Sequence, residues 1–198
     1  MSAIIRLARE QDGQRFAEIY KPYVTDSAVS FEIDAPTSRE MSERITAVER
    51  KHPWLVCTID SEVAGYVYAS PHKARPAYCW SVDVAIYTDA AFRRRRLGTA
   101  LYTSLFECLR LQGVYNAYAG ITVPNDASIG LHEALGFQLV GLYNNVGFKC
   151  GAWRDVGWWH LKLQEYSNNP VAPMDLEAAC ALPQWEAAIS AGVAELRL

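Results

Sequence analysis

Four consecutive arginines, Arg93–Arg96, stand directly before the sequence Leu97-Gly98-Thr99. The apolar periodicity on either side predicts that this segment connects a strand to a helix. The first amides of a helix have no partner within it, and the helix dipole places a partial positive charge there. A glycine-containing turn at this point can surround a diphosphate with amides while the arginines neutralise its charge. Alternatively, the run is a solvated basic loop.

A carboxylate lies inside a predicted strand. Asp83 alternates with apolar residues in Ser81-Val82-Asp83-Val84-Ala85-Ile86. Burying a carboxylate is costly, so Asp83 is either an outward-facing strand residue or a functional group. A functional carboxylate at this position can act as a general base.

Two residues with proton-transfer chemistry lie on predicted helices. Tyr102 can donate from its phenol to a departing group, or it can pack an aromatic helix face. His132 titrates near neutral pH, although a helical histidine is more often a surface residue. Asn125, just before the second of these helices, is either a side-chain ligand or an ordinary residue at a helix N-terminus.

The elements that must position these residues follow a mixed order, typical of an α+β domain with helices on both faces of one sheet. We expect Ser38 to cap its helix. The predicted elements are a strand over Ile4–Ala8, a helix with Phe16, Ile19, Tyr20 and Tyr23 on its apolar face, a helix over Ser38–Lys51 with Met41, Ile45 and Val48 on its apolar face, a hairpin of Trp54–Ile59 and Ala64–Ala69, a strand over Tyr78–Tyr87, a helix over Leu97–Leu111, a strand over Asn116–Val123, a helix over Asp126–Leu135, and strands over Gln138–Tyr143 and Asp155–Leu163.

The chain length suits one domain and a short appendage. The 198 residues, 51% of them hydrophobic, are enough for one substantial core. We assign residues 1–165 to the domain and 166–198 to a C-terminal appendage that begins with the linker-like Ser167-Asn168-Asn169-Pro170 and continues as weak helices. This appendage packs on the domain or a partner subunit, or it is disordered.

The net charge and the cysteines indicate which partners, metal sites and cellular compartment to expect. The formal net charge of -3 gives no reason to expect a nucleic acid or an anionic membrane as partner. Five scattered cysteines without metal-ligand spacing indicate reduced thiols and no metal site. The N-terminal residues lack the features of a secretion signal, and no apolar run approaches the roughly 20 residues that cross a bilayer. We therefore expect a cytoplasmic protein.

Several segments resemble the GNAT superfamily of acetyltransferases. Asp89–Leu101 is similar to their coenzyme A diphosphate loop, with the pattern Q/R-x-x-G-x-G/A, and Asn125–Phe137 is similar to their next motif. His52–Val56, Lys73–Tyr78 and Gly147–Gly157 are similar to the phosphinothricin and methionine sulfoximine acetyltransferase branch. The match covers about residues 3–163. It implies the GNAT fold, with a mixed central sheet that splays to admit coenzyme A, and acetyl-CoA as the co-substrate.

The resemblance assigns coenzyme A to the end of one strand and the start of the next helix. The strand end would pair with the pantetheine arm as an extra strand does. Arg96 replaces the first glycine of the loop, where a side chain can crowd the phosphate or distort a left-handed turn. Alternatively, Arg95-x-x-Gly98-x-Ala100 satisfies the pattern in a shifted register and Arg96 points outward. The assigned residues are Ile86, Tyr87, Thr88, Arg94, Arg95, Arg96, Leu97, Gly98, Thr99 and Asn125.

The resemblance also implies direct transfer of acetyl to the α-amine of a small amino-acid analogue such as phosphinothricin, methionine sulfoximine or methionine sulfone. Asp83 falls where the branch usually has a glutamate, one methylene longer, and is the expected base. His132 occupies a position that faces the active site in that branch, and Tyr102 is the candidate acid for the leaving thiolate. A homodimer is expected from the same resemblance.

Substrate recognition is expected from the segment before Asp83. Lys73 and Arg75 are cations that can grip the carboxylate of an amino acid, and Tyr78 belongs to the same segment. Phe31 is expected to line the pocket. For each cation taken singly, a solvated loop position is the competing interpretation.

Other readings of the sequence stay open. The acceptor can be a different amine, such as a polyamine or a protein N-terminus, although Lys73 and Arg75 would repel a polycation. Cys150 suggests a ping-pong route, but its sequence neighbourhood supplies no clear activating base. Cys150 and Ala152 also replace a histidine and an asparagine that are common in the family. A degenerate domain that binds coenzyme A without catalysis would rest on Arg96 and the shortened Asp83.

Overall fold

The computed structural model describes residues 2–48 and 51–198. These residues form one sheet of seven strands with α-helices on both faces. The strands are β1 Ala3–Leu7, β2 Trp54–Ile59, β3 Glu62–Pro71, β4 Ser81–Thr88, β5 Asn116–Val123, β6 Gln138–Lys149 and β7 Ala152–Lys162. The helices are α1 Gly13–Thr25, α2 Ser38–Val48, α3 Leu97–Gln112, α4 Asp126–Ala134, α5 Leu176–Cys180 and α6 Trp185–Ser190.

The sheet opens in its middle. The strand order is β1-β2-β3-β4-β5-β7-β6, with β4 and β5 parallel and the other neighbouring strands of the described sheet antiparallel. β4 and β5 pair only from Ser81↔Asn116 to Asp83↔Tyr118. Beyond Asp83 the two strands diverge, although β4 continues to Thr88 and β5 to Val123. The unpaired edges leave an opening in the sheet directly beyond Asp83.

Two apolar cores lie on opposite faces of this sheet. On one face α1 and α2 cover an aromatic cluster in which Phe16 stacks on Tyr66 with 4.2 Å between ring centroids. On the other face α3 packs against Val82 and Val84 of β4 through residues such as Leu101. Successive side chains of a strand point to opposite faces. Asp83 therefore lies on the α1/α2 face.

The second helix begins at Ser38, as the sequence predicted, but its capping residue is a different one. Thr37 caps it instead of Ser38: the Thr37 hydroxyl accepts from the Glu40 amide at 3.2 Å, and the Glu40 carboxylate accepts from the Thr37 amide at 2.7 Å. This reciprocal pair is a capping box. Met41 and Ile45 are buried as expected. Val48 was predicted to lie on the apolar face, but its side chain is outside those described. The predicted helix continues through residues 49 and 50, which are outside the described ranges.

Three strand predictions were wrong in their limits. Tyr78 does not begin β4, because Pro76–Tyr78 form a 3-10 turn and the strand starts at Ser81. The last two strands are longer than predicted and form one hairpin that turns at Cys150-Gly151. Both turn residues have positive φ, 52° and 72°. The polar residues of β6 that ended the predicted strand lie on an exposed strand, so no burial pattern marked its continuation.

The C-terminal tail packs on the domain. Leu176, Trp185 and Ile189 are buried in the core that α3 covers. The 3-10 turn Ala191–Glu195 lies so close to α3 that a Cβ on Gly192 would be 1.8 Å from the Ala100 carbonyl oxygen. The tail thus supports the helix whose N-terminus follows the arginine run. No helix within the described ranges is long and apolar enough to cross a membrane.

Candidate active site

The opening between β4 and β5 contains a narrow cavity that continues into a wider cleft. The cavity, of about 60 Å³, is lined from both faces of the sheet by residues that include Ala85, Tyr102 and His132. The cleft, of about 460 Å³, lies between the arginine run and α4. Both are lined by Ile86 and Asn125. An elongated molecule can therefore extend from the arginine run to the middle of the sheet.

The arginine run forms a tight turn that ends at the N-terminus of α3. Arg94 and Arg96 have φ of 65° and 56°, the left-handed region that favours glycine. The first residues of α3, Leu97–Thr99, line the cleft, so their unpaired amides lie at its wall. Arg96 adopts the left-handed turn that its Cβ was expected to disturb.

The Arg96 side chain is paired with the C-terminal tail. Its Nη2 lies 2.8 Å from Glu195 Oε2, and the Arg95 carbonyl accepts from the Arg197 amide at 3.0 Å. The cleft is lined by Arg93, Arg94 and Arg96, whereas the Arg95 guanidinium lies 5.7 Å from the centroid of the Phe92 ring. The sequence alternatives for Arg96 were crowding of the cleft or an outward side chain, and the structure has the guanidinium on Glu195.

The end of β4 presents alternate main-chain groups to the opening. The Asp89 amide donates to the Ala64 carbonyl of the neighbouring strand β3 at 2.9 Å. Main-chain groups alternate in direction along a strand, so those of Tyr87 also face β3, while those of Ile86 and Thr88 face the opening. The Tyr23 hydroxyl donates to the Thr88 carbonyl at 2.7 Å. Tyr87, which was grouped with Ile86 and Thr88 from the sequence, turns its main chain the other way.

Asn125 lies at the junction of the cavity and the cleft, before α4. Its side-chain oxygen accepts from the Ser128 amide at 3.2 Å, so it caps the helix. Gly98 on α3 faces α4, because a Cβ there would be 2.7 Å from Leu131 Cδ2. The two helices approach closely at the wall of the cleft.

Asp83 is half-buried and is hydrogen-bonded to a histidine that the sequence did not single out. Its Oδ1 lies 2.6 Å from His72 Nδ1. Burial raises the pKa of the Asp83 carboxyl, while the hydrogen bond to His72 and the charge of Lys73 act in the opposite direction. The β3–β4 register places His72 beside Asp83. Pro71 pairs with Val82, and the His72 amide donates to the Ser81 carbonyl one position further along. His72 and Asp83 are therefore diagonal neighbours.

Tyr102 and His132 form a second proton-handling pair on the α3 face. The Tyr102 hydroxyl lies 2.9 Å from His132 Nε2, and His132 Nδ1 lies 2.8 Å from the Ser128 carbonyl oxygen. A carbonyl only accepts, so Nδ1 carries the proton and Tyr102 donates to Nε2. Burial lowers the pKa of His132 and raises the pKa of Tyr102, so both are neutral near pH 7.

The residues expected to bind the substrate lie at the periphery. Lys73, Arg75 and Tyr78 are exposed in the connection between β3 and β4, with Lys73 near enough to Asp83 to affect its pKa. Phe31 is packed over Gly147 of β6, where a Cβ would be 2.3 Å from the ring. The buried Lys149 ammonium holds the Phe31 loop by donating to the Ser30 and Glu32 carbonyls at 2.6 and 2.7 Å.

Residues 5–158 match the model of the acetyltransferase (GNAT) domain. This chain belongs to the GNAT acetyltransferase family. It is 38% identical over 171 residues to a phosphinothricin N-acetyltransferase of Streptomyces viridochromogenes, a match that covers 86% of this chain and 93% of that protein. It is 31% identical over 172 residues to an L-methionine sulfoximine/L-methionine sulfone acetyltransferase of Pseudomonas aeruginosa, covering 86% of this chain and all of that protein.

A solved relative has the same fold. The crystal structure of a phosphinothricin acetyltransferase from Sinorhizobium meliloti in complex with acetyl-CoA matches with a TM-score of 0.81 and 32% sequence identity, over 86% of this chain and 94% of that one. The mixed sheet with helices on both faces is thus the GNAT fold, as the sequence predicted. As a GNAT enzyme the chain is an N-acetyltransferase with acetyl-CoA as co-substrate.

The residues of the cleft fit acetyl-CoA. The amides at the start of α3, with Arg93 and Arg94 beside them, suit a diphosphate. The main-chain groups of Ile86 suit an extended amide-containing arm. Within the described chain no group of three or more His, Cys, Asp or Glu side chains is arranged around a metal ion. Asp83 lies on one face of the opening and Tyr102 on the other. Different side chains can therefore act on an amine and on a leaving thiolate from opposite faces of the sheet.

Proposed function

We propose that this GNAT enzyme transfers acetyl from acetyl-CoA to the α-amine of a small amino-acid analogue of the phosphinothricin, methionine sulfoximine or methionine sulfone type. The names of the relatives that match most of the chain supply this class of acceptor. The observation that carries the proposal is the opening beyond Asp83, with a carboxylate on one face and the Tyr102–His132 pair on the other.

The co-substrate is held, in this proposal, by the main-chain amides at Leu97, Gly98 and Thr99 and by the cations of the arginine run. The lining of the cleft by these residues supports the assignment. The other residues that we assign to acetyl-CoA binding are Ile86, Tyr87, Thr88, Arg94, Arg95, Arg96 and Asn125. Of these, Arg95 contributes by shaping the turn and Tyr87 by shaping the strand.

The amine loses its proton on the Asp83 face of the opening as it attacks the thioester carbonyl. The sulfur departs with the bonding electron pair on the opposite side, where the Tyr102 hydroxyl lines the cavity. Burial raises the pKa of Tyr102, so the hydroxyl keeps its proton and stabilises the thiolate by a hydrogen bond. Its single proton points to His132 Nε2 before the reaction and turns from that nitrogen to the sulfur as the thiolate forms. Transfer is direct, and the exposed Cys150 in the β6–β7 turn takes no acetyl group.

The acceptor's carboxylate is bound by Lys73 and Arg75. Their exposure in the connection after β3 leaves both cations available to a ligand, and Lys73 lies near Asp83. Tyr78 flanks His72 with 6.1 Å between ring centroids, so it borders the same site. Phe31 lines the apolar side of the substrate site. The Lys149 ammonium holds the Phe31 loop in place by its hydrogen bonds to main-chain carbonyls.

The enzyme acts as a homodimer in the cytoplasm. β6 is an edge strand that exposes large apolar side chains, among them Val140 and Phe148, and such a surface suits a second copy of the chain. The cysteines of the described chain are free thiols, in keeping with a reducing compartment that also contains acetyl-CoA.

A thiol-release assay tests the acceptor class. Acetyl-CoA is supplied with phosphinothricin, methionine sulfoximine, methionine sulfone, spermidine or a peptide with a free N-terminus, and the free thiol is followed. We expect turnover with the amino-acid analogues and none with spermidine, because Lys73 and Arg75 repel a polycation. Turnover confined to spermidine or the peptide would contradict the proposal. Binding of coenzyme A without turnover on any amine would indicate a degenerate domain.

A further inference from the structure

His72 is an oriented base beside Asp83. An ionised carboxylate only accepts hydrogen bonds, so the 2.6 Å contact places the ring proton on Nδ1 and leaves the lone pair of neutral His72 on Nε2. Among the described residues, none is hydrogen-bonded to Nε2. The His72 side chain is 15% exposed, so the ring is largely but not completely shielded from solvent. A carboxylate that fixes an imidazole in this way is the arrangement that activates nucleophiles in unrelated enzymes.

The ring is fixed at the point where the sheet opens. His72 stacks on Tyr118 with 4.4 Å between centroids and 18° between planes. Tyr118 pairs with Asp83 in the last β4–β5 pair before the strands diverge. Tyr78 and Trp158 meet the ring edge-on, with 6.1 and 6.0 Å between centroids. These contacts on three sides hold the imidazole above the apex of the opening.

The imidazole also compensates for a short carboxylate. Asp83 stands where the resembling branch usually has a glutamate, so its oxygens lie one methylene closer to the backbone. The hydrogen bond from Nδ1 occupies Oδ1, and Nε2 lies on the far side of the ring from that bond. The combined length of Asp83 and His72 exceeds that of a glutamate side chain.

We propose that Nε2 of His72, and not the Asp83 carboxylate, takes the proton from the attacking amine. This inference rests on the proposed acetyl transfer. The neutral amine nitrogen forms the bond to the acetyl carbon, its proton passes to His72 Nε2, and the C–S bond breaks with its electron pair on sulfur. The imidazolium, stabilised by Asp83, then releases its proton to water. Asp83 is the positioning residue of this pair, and His72 is the catalytic residue.

The titratable groups around the ring include one carboxylate, one nearby cation and two tyrosines. Asp83 contacts the ring, and Lys73 lies near Asp83. Tyr78 and Tyr118 pack against the ring. Since protonated His72 cannot accept a proton, kcat falls at acidic pH. The pH profile of kcat reports groups in the complex with substrate, so ionisation of the free amine does not enter it.

The variant His72→Asn tests whether His72 acts as a base or only holds Asp83 in place. The asparagine amide donates to Asp83 as Nδ1 does but has no basic nitrogen. We expect kcat to fall by about 100-fold or more, the usual contribution of a general base, with the KM for acetyl-CoA unchanged. The acidic limb of the kcat profile disappears. In His72→Ala, added imidazole restores part of the rate.

His160→Gln is the matched control. His160 lies against the same Tyr118 ring, at 4.8 Å between centroids, but its Nε2 is hydrogen-bonded to Asn116, a contact that glutamine retains. We expect its kcat and pH profile to match the wild type. A His72→Asn enzyme with wild-type kcat, or with an unchanged acidic limb, overturns the role of His72 while leaving acetyl transfer intact. A wild type that acetylates no amine overturns both proposals.

Discussion

Asp83, which we propose to act in catalysis, lies in an environment that disfavours its charge. Burial is the largest influence on its carboxyl and raises its pKa, while the hydrogen bond to His72 and the charge of Lys73 only partly oppose this. A carboxyl whose pKa is higher in the folded state favours folding when protonated, and this contribution is lost as the pH rises through its titration. At neutral pH the ionised Asp83 therefore costs stability in exchange for function.

We expect Asp83→Asn to fold and to lose most turnover near neutral pH. The asparagine oxygen still accepts from His72 Nδ1–H, so the local geometry persists, but the charge that stabilises an imidazolium is gone. Thermal melts should give the variant a Tm equal to or above that of the wild type at pH 7. This difference should shrink as the pH falls and Asp83 itself becomes protonated. Wild-type kcat in the variant would remove Asp83 from the mechanism.

Among the elements, the loop that we propose to bind coenzyme A is supported by a tail outside the GNAT match. The loop contributes Arg96 and the Arg95 carbonyl, and the tail contributes Glu195 and the Arg197 amide. The Arg96–Glu195 pair is exposed and contributes about 0–1 kcal/mol. The larger share comes from the packing of the tail on α3, where the Gly192 amide also donates to the Ser104 hydroxyl at 3.0 Å.

Two glycine-to-alanine changes test this support. In Gly192→Ala the new Cβ would meet the backbone of α3, which cannot rotate away, so we expect a loss of about 1–3 kcal/mol of unfolding free energy and a raised KM for acetyl-CoA. Gly130→Ala is the control: it lies inside α4 with nothing within 4 Å of its Cβ, so alanine should stabilise by about 0.5–1 kcal/mol. Denaturant titration and the KM of both variants decide. Equal behaviour of the two would mean that the tail does not press on α3.

The sequence predicted most elements because their apolar periods are intact, as in α3, which ends at Gly113 with a left-handed φ of 87°. The sequence did not predict side-chain contacts that depend on pairing between segments far apart in the chain. The contact of His72 with Asp83 requires the β3–β4 register, which a connection containing the Pro76–Tyr78 turn does not reveal. The direction of the Arg96 side chain depends on Glu195, in a tail that no motif connected to the loop.

At the scale of the whole molecule, the sheet has one protected and one apolar edge. β1, at one end, lies beside the tail, whereas β6, at the other end, exposes Val140, Phe148 and the neighbouring Trp153 of β7, the last two at 58% and 61%. Monomers rarely expose a contiguous apolar patch larger than a few hundred Å². The β6 edge is also close to the site, because Phe31 packs on Gly147. Association there would stiffen one wall of the substrate pocket.

We expect the wild-type chain to sediment as a dimer at micromolar concentration and Phe148→Glu to sediment as a monomer. A glutamate at this exposed position is harmless in a monomer but would be buried without a partner in the interface. Ile4→Glu is the matched control, since Ile4 is 57% exposed on the opposite edge strand β1. Analytical ultracentrifugation distinguishes the three proteins. A monomeric wild type, or dissociation by both variants, would contradict association through β6. If the interface stiffens the pocket, the Phe148→Glu monomer should also show a higher KM for the amine and an unchanged KM for acetyl-CoA, because the coenzyme A loop lies across the sheet from β6.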